Sequence, residues 1–269
     1  MRCVYCDLDG TLLGRGGSLL RDGEGGFSAL AVRALEACFR ADVEFVIYSG
    51  RREAQVFEDA RLLGCRAYIF EVGSGLVVDG EREWLTGELV PGERSIHDQI
   101  EDSGAPALLL ELYPRRLEYH EPWHRDREVS HLFRGLVDTF EADEALREAG
   151  LGHLRLVDNG AIRRRSPTLD VEQAHAYHLI PAQASKAGAV ARHMQARGYA
   201  REECIAVGDS REDMDAADVV GAFWLVANAL DRDPALREAI GDRDIVRVAE
   251  AGHGAGVYEA VVTTLAERR

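Results

Sequence analysis

The sequence predicts an α/β fold, a doubly wound parallel sheet interrupted by an inserted α+β domain. Three observations predict it. Short β-rich runs alternate with helical patterns at both ends of the chain. The stretch from Trp84 to Ile180 breaks that alternation, with Pro91, Pro106, Pro114, Pro122 and Pro167 scattered among short alternating runs. The 269 residues, 46% of them hydrophobic and 29% charged, suffice for one large or two modest domains.

The strand candidates come first. Val4-Tyr5-Cys6 runs into Asp7, Val43 to Tyr48 into Ser49-Gly50-Arg51, Cys204 to Val207 into Gly208-Asp209, and Phe223 to Val226 into Ala227-Asn228-Ala229. Helix candidates lie between them: Ser28 to Arg40, Arg52 to Leu63, Lys186 to Arg197 and Gly256 to Arg268. In the last, Val257, Ala260, Val261 and Leu265 make one apolar stripe. Strand–helix alternation of this kind implies a parallel sheet with helices on both faces, a Rossmann-like core. We place that core at residues 1–84 and 181–269 and the insert at 85–180. Within the insert, Leu108 to Leu112 and Arg155 to Val157 read as strands and Arg134 to Ala149 as a helix. The glycine-rich segment Gly14 to Gly26 reads as a flexible loop.

Composition excludes several functions. A formal charge of -15 argues against a nucleic-acid binder, which needs clustered Lys and Arg. No apolar run reaches the roughly 20 residues that span a bilayer. The first residues meet Asp7 too early for a signal peptide, which places the protein in the cytoplasm. Five cysteines, an odd number, fit free thiols in a reducing compartment. Cys3 and Cys6 sit three apart on a strand and therefore face opposite ways, which argues against a redox or metal pair. Pro122 between His120 and His124 argues against a helical metal site there. Arg163-Arg164-Arg165 reads either as a grip for a second anionic group or as a solvated face, with the solvated face favoured. Gly252 to Gly256 reads as a turn.

Ligands of open parallel sheets bind at the carboxyl ends of strands. Three strands here end in Asp7, Ser49 and Asp209, and Asp9 and Asp213 follow closely. Carboxylates brought together this way raise one another's pKa unless a cation intervenes. A hard divalent ion with oxygen ligands resolves the conflict, and Mg2+ is the natural choice.

Asp7-Leu8-Asp9-Gly10-Thr11-Leu12-Leu13 resembles the first motif of the haloacid dehalogenase-like hydrolase superfamily, in the phosphatase form with two aspartates. Ser49-Gly50-Arg51 resembles the second motif, Lys186 at a helix start the third, and Gly208-Asp209-Ser210-Arg211-Glu212-Asp213 the fourth. The motifs stand in family order. The resemblance implies a phosphomonoesterase acting on a small phosphorylated metabolite, a sugar phosphate or a phosphoglycerate- or phosphoglycolate-type compound. Asp7 would be the nucleophile that forms an aspartyl-phosphate, Asp9 the general acid and base, and Lys186 the neutralising cation. Ser49 and Gly50 would bind phosphate, with Asn228 in the Ala227-Asn228-Ala229 turn as a further candidate. Arg51 either contacts phosphate or substrate or pairs with a neighbouring acid. Asp7, Asp209, Asp213 and the backbone carbonyl of Asp9 would hold Mg2+. Only 37 residues separate Thr11 from Ser49, whereas 134 separate Arg51 from Lys186. That spacing is similar to the subgroup with a type C2 α/β cap between its second and third motifs, which includes the Cof-like, sucrose-phosphate, mannosyl-3-phosphoglycerate and archaeal-type phosphoglycolate phosphatases. The chain departs from the subgroup at Glu71-Val72-Gly73, where an Asn-Gly turn is usual, and at Arg211-Glu212. A phosphomutase of the same superfamily and a non-catalytic metabolite-binding homologue are the alternatives. The partner implied is a small phosphorylated molecule, with neither nucleic acid nor membrane, and oligomeric state is open.

Overall fold

A computed structural model describes residues 1–162 and 166–267. The Arg163 to Arg165 cluster lies outside the described residues. The chain begins β1 (Cys3–Cys6), α1 (Leu30–Arg40), β2 (Glu44–Tyr48), α2 (Glu53–Leu63), β3 (Ala67–Phe70), β4 (Gly75–Val78) and β5 (Glu81–Trp84). A second group follows: α3 (Ile96–Asp102), α4 (Ala105–Leu112), β6 (Leu117–Tyr119), β7 (His131–Gly135), α5 (Thr139–Glu148), β8 (Leu154–Ala161) and β9 (His175–Pro181). The chain then returns through α6 (Lys186–Arg197), β10 (Cys204–Gly208), α7 (Arg211–Met214), β11 (Ala222–Leu225), α8 (Ala227–Arg232), α9 (Leu236–Ile240), β12 (Val246–Val248) and α10 (His253–Glu267).

The first and third groups build one eight-stranded sheet in the order β12-β11-β10-β1-β2-β3-β4-β5. Pairing is parallel from β12 to β3 and antiparallel through the β3-β4-β5 meander. Both faces are covered, as alternating side chains require. Val4 and Cys6 face α1, α2 and α10 through Leu35, Val56 and Val257. Cys3 and Tyr5 face α6 and α8 through Val190, Met194 and Leu230. Cys3 and Cys6 thus lie on opposite faces, and every cysteine is free.

Chain order runs from β1 to β2 and β3 in one direction, and from β10 to β11 and β12 in the other. The crevice beyond the carboxyl ends of β1 and β10 is therefore the switch point at which such sheets bind ligands. The middle group forms an antiparallel four-stranded sheet, β6-β7-β9-β8, packed on a core of its own around Phe133, Tyr177 and Leu179. No helix among the described residues is long and apolar enough to cross a membrane.

Two readings of the insert need correction. Leu108 to Leu112 is not a strand but most of α4, which Pro106 opens from the first turn, where its missing N–H costs nothing. The helix predicted from Arg134 starts later. Arg134 belongs to β7, and α5 begins after Asp138, whose carboxylate caps the amides of Phe140 and Glu141. Gly14 to Gly26 lacks helix and strand but is tied by the bridges Gly14–Ser18 and Arg21–Phe27.

Candidate active site

Three strand termini meet in a cavity of about 690 Å³. Asp7 follows β1, Ser49 follows β2 and Asp209 follows β10, and Asp213 reaches in from α7. Carboxylate oxygens of Asp7, Asp209 and Asp213 lie within 4.8 Å of one another. Burial, reinforced by Asp213 and Asp9 and opposed by Lys186, pushes the Asp7 carboxyl up to about 7. Burial and the Asp7 charge push Asp209 well above the carboxylate range, against the pull of Arg232.

Lys186 is the counter-charge. It is the first residue of α6, whose cap is the Ser185 hydroxyl accepting from the Gly188 amide at 3.0 Å. Its buried Nζ donates to Asp7 Oδ1 at 3.0 Å and to Asp213 Oδ1 at 2.6 Å. Burial opposes the ammonium charge, but Asp213 and Asp7 outweigh it and hold the group protonated. Asp213 is fixed from its other side. Its Oδ2 accepts from the amides of Asp209 and Ser210, both at 3.1 Å, and from the Ser210 hydroxyl at 2.7 Å. Ser210 in turn caps α7, so one capping box turns the fourth motif toward the crevice. Glu212 anchors the neighbouring loop, accepting from Arg155 at 3.3 Å and from the Lys186 amide at 3.4 Å.

The donor set suits a hard cation. Among the described residues, Asp7 Oδ2 and Asp209 Oδ1 accept no hydrogen bond, while Asp209 Oδ2 takes Arg232 Nη1 at 2.6 Å. Three carboxylates face two fixed cations, which leaves negative charge for a divalent ion to neutralise. Purely oxygen donors of this kind match Mg2+ better than a thiophilic metal.

The other sequence candidates divide. Asp9 stands apart from the buried cluster. Its exposed carboxylate is gripped by Arg51 through Nε–Oδ2 at 2.6 Å and Nη2–Oδ1 at 2.7 Å, and Arg51 also donates to Asp59 at 2.8 Å. Of the two readings left open for Arg51, the structure displays the pairing with acids. Ser49 is buried, and its Oγ accepts from the Arg51 amide at 3.2 Å. Gly50 lines the cavity, as do Asp7, Asp9, Ser49 and Arg51, whereas Asn228 does not. The Asn228 amide instead ties two loops together, donating to the Gly10 carbonyl at 2.9 Å and accepting from the His253 amide at 2.6 Å.

Sequence reasoning missed the opposite wall. Glu71, fully buried, accepts from three successive amides of the insert: Glu128 at 2.8 Å, Val129 at 3.2 Å and Ser130 at 2.6 Å. Its backbone and that of Val72 lie at φ 45° and 57°, a region that costs a β-branched residue. Arg127 sits 3.8 Å from Glu71 and donates to the Gly50 carbonyl at 3.1 Å and to Ser130 Oγ at 2.9 Å. The insert is thereby keyed to the second motif. The one signal in the sequence was the departure at Glu71-Val72-Gly73. Arg232, on α8, carried none.

Named proteins are similar to the chain in sequence or in fold. The phosphoglycolate phosphatase of Methanothermobacter thermautotrophicus is 24% identical over 265 residues, 97% of each chain. The sucrose-phosphatase of Synechocystis sp. PCC6803, solved with sucrose and phosphate, superposes with a TM-score of 0.67 at 15% identity over 98% of each chain. A haloacid dehalogenase-like hydrolase from Bacteroides thetaiotaomicron superposes at 0.60 and 16% identity, covering 97% of this chain and 98% of that one. Over nearly its whole length the chain is similar to phosphoglycolate phosphatases, and it has the fold of the haloacid dehalogenase-like hydrolases. No family model matches it. The segments around Asp7 and Asp209 adjoin through parallel β1–β10 pairing, with Cys6 opposite Val207. Asp7 and Asp209, two hundred residues apart, are neighbours for that reason.

Proposed function

We propose that the chain is a Mg2+-dependent phosphomonoesterase that hydrolyses a small phosphorylated metabolite through an aspartyl-phosphate on Asp7. The observation that carries this reading is Lys186 bridging Asp7 and Asp213 beside Asp209, at the switch point of the sheet. Asp7 is held in place by its amide donating to the Val207 carbonyl at 3.0 Å and by the lysine on one oxygen. Its carboxylate attacks phosphorus, the ester P–O bond breaks, and the leaving oxygen takes a proton from Asp9. Water then attacks the same phosphorus and gives a proton back to Asp9. The acyl-phosphate P–O bond breaks, releasing inorganic phosphate and restoring the Asp7 carboxylate.

Lys186 and the Ser49–Gly50 turn would neutralise and orient the phosphoryl oxygens throughout. Mg2+, held by Asp7, Asp209 and Asp213, would supply positive charge against the phosphate. The second sheet closes over the cavity and would exclude bulk water. The names of the relatives support phosphoglycolate-type or sugar phosphate substrates. A phosphate-release screen over phosphoglycolate, phosphoglycerates and sugar phosphates tests the reading. Mg2+-dependent release of inorganic phosphate supports it. An isomeric sugar phosphate as product would mean a mutase, and no turnover of any ester would contradict it.

A further inference from the structure

The catalytic cavity lies at the carboxyl ends of the strands. A second group of metal-ligating side chains lies at their amino ends, and the phosphatase reading uses none of them. Cys3 opens β1, Glu44 opens β2 opposite it in the parallel register, and His193 reaches in from α6. One donor atom from each lies within 4.8 Å of the other two. Cys3 and His193 are fully enclosed.

The ring of His193 is held from behind. Its Nδ1 lies 2.8 Å from the Tyr5 hydroxyl. That hydroxyl also hydrogen-bonds Cys3, and once its proton goes to the sulfur its oxygen accepts from Nδ1–H. Nε2 then carries a lone pair. It is buried without a hydrogen-bond partner among the described residues and stands 3.6 Å from Glu44 Oε2. The opposite tautomer would not satisfy it either, because 3.6 Å is beyond hydrogen-bond reach. Glu44 is fixed facing the ring, with Oε1 accepting from Arg197 and Oε2 from Tyr199, both at 2.8 Å. A buried lone pair held against a carboxylate is costly unless a cation lies between them.

The spacing fits one ion. Ligands bound at about 2.1 Å to a tetrahedral centre stand about 3.4 Å apart, close to the 3.6 Å between Nε2 and Oε2. A mixed sulfur, nitrogen and oxygen set suits Zn2+ rather than Mg2+. The Cys204 thiol, opposite Cys3 in the β1–β10 register and hydrogen-bonded to it, is placed to supply a fourth donor. Glu44, Arg197 and Tyr199 line a cavity of about 470 Å³, which gives an ion a way in. We propose that Cys3, Glu44 and His193 form a Zn2+ site at the amino end of the sheet that clamps α6 onto β1 and β2. On binding, the Cys3 thiol gives up its proton, and its thiolate and the Glu44 carboxylate neutralise the ion. The clamp bears on the catalytic end as well, because α6 opens with Lys186. Without the ion, His193 is a buried ring whose charged form burial disfavours.

The test titrates chelator-treated full-length protein with Co2+, a spectroscopic substitute for Zn2+, and reads the thiolate-to-cobalt charge-transfer band. Wild type should develop that band, saturating at one ion per chain, and Zn2+ should bleach it. C3S should lose the band. Y5F, which keeps all three ligands but leaves Nδ1 without its partner, should bind Co2+ about 10–100-fold more weakly, and H193Q at least as weakly as Y5F. C65S, which removes the half-buried thiol beside the same cavity, and D209N, which alters the carboxylate site, should both keep the band. If C3S fails to fold, H193Q and Y5F carry the test. No band in wild type, a band that survives in C3S, or one lost in C65S or D209N overturns the proposal and leaves the phosphatase reading standing.

Discussion

Arg51 holds Asp9 through two parallel hydrogen bonds, Nε to Oδ2 at 2.6 Å and Nη2 to Oδ1 at 2.7 Å. The pair joins the second motif to the first at the rim of the cavity, and more than half of the Asp9 carboxylate surface is open to solvent. An ion pair so exposed contributes at most about 1 kcal/mol to stability. Its geometry nonetheless fixes where Asp9, the proposed acid–base group, stands. R51A should therefore lower kcat on phenyl phosphate roughly tenfold, since a misplaced proton donor is costly. Its melting temperature should stay within a few degrees of wild type. Parallel thermal melts and steady-state kinetics check this, and unchanged kcat would argue against a positioning role.

Lys186 presents the opposite balance. It is buried between two carboxylates, and removing one partner of a buried ion pair costs roughly 3–5 kcal/mol. K186M should be markedly less stable than wild type in the absence of divalent ions. It should also recover more stability than wild type on adding Mg2+, because Asp7 and Asp213 have lost their only buried ammonium. Phosphate release should fall about a hundredfold or more. Thermal melts with and without Mg2+ separate the two effects.

The crowded oxygens of Asp7, Asp209 and Asp213 predict metal-linked stability. At a hundred times its dissociation constant, Mg2+ should stabilise the fold by about 2.7 kcal/mol. D209N should lose most of that gain, and chelation should remove activity that Mg2+ restores. Equal Mg2+ responses in D209N and wild type would contradict the assignment.

His193 gives a pH signature far from the cavity. It lies on α6, fully enclosed, with Nδ1 2.8 Å from the Tyr5 hydroxyl. Burial, opposed by Glu44, depresses its pKa to about 4. The unfolded chain, with an ordinary histidine near 6.5, binds the extra proton first as pH falls. Stability is therefore fully present above about 6.5 and is lost progressively toward pH 4. Between pH 7 and 5 this one ring should cost roughly 2 kcal/mol. H193Q, which keeps a partner for Tyr5, should lose less over the same interval. Chemical denaturation at the two pH values measures the difference, and parallel losses would place the acid sensitivity elsewhere.

The sheet and its acidic crevice were legible because the signals are local. Asp7, Ser49 and Asp209 each end a β-rich run, and Lys186 opens a helix directly after a serine cap. The insert was harder to read. Leu108 to Leu112 is apolar at nearly every position, so periodicity does not separate strand from helix, and Pro106 was the signal that decides. The wall over Gly50 was not legible, because it depends on Glu71 meeting the amides of residues 128–130 across the fold. Nothing near Asn159 or His178 in the sequence marks them as lining the same cavity as Ser49. Asn228 matched a motif, yet its amide is occupied in bracing Gly10 against His253.

The central claim is that Asp7 attacks phosphorus. D7N preserves the shape of the side chain and its contact with Lys186 but removes the nucleophilic charge. The deciding measurement is the rate of Mg2+-dependent phosphate release from phenyl phosphate by D7N, alongside a melt showing that the variant is folded. The expected loss is roughly 10⁴-fold or more. A folded D7N protein within about tenfold of wild type would contradict it.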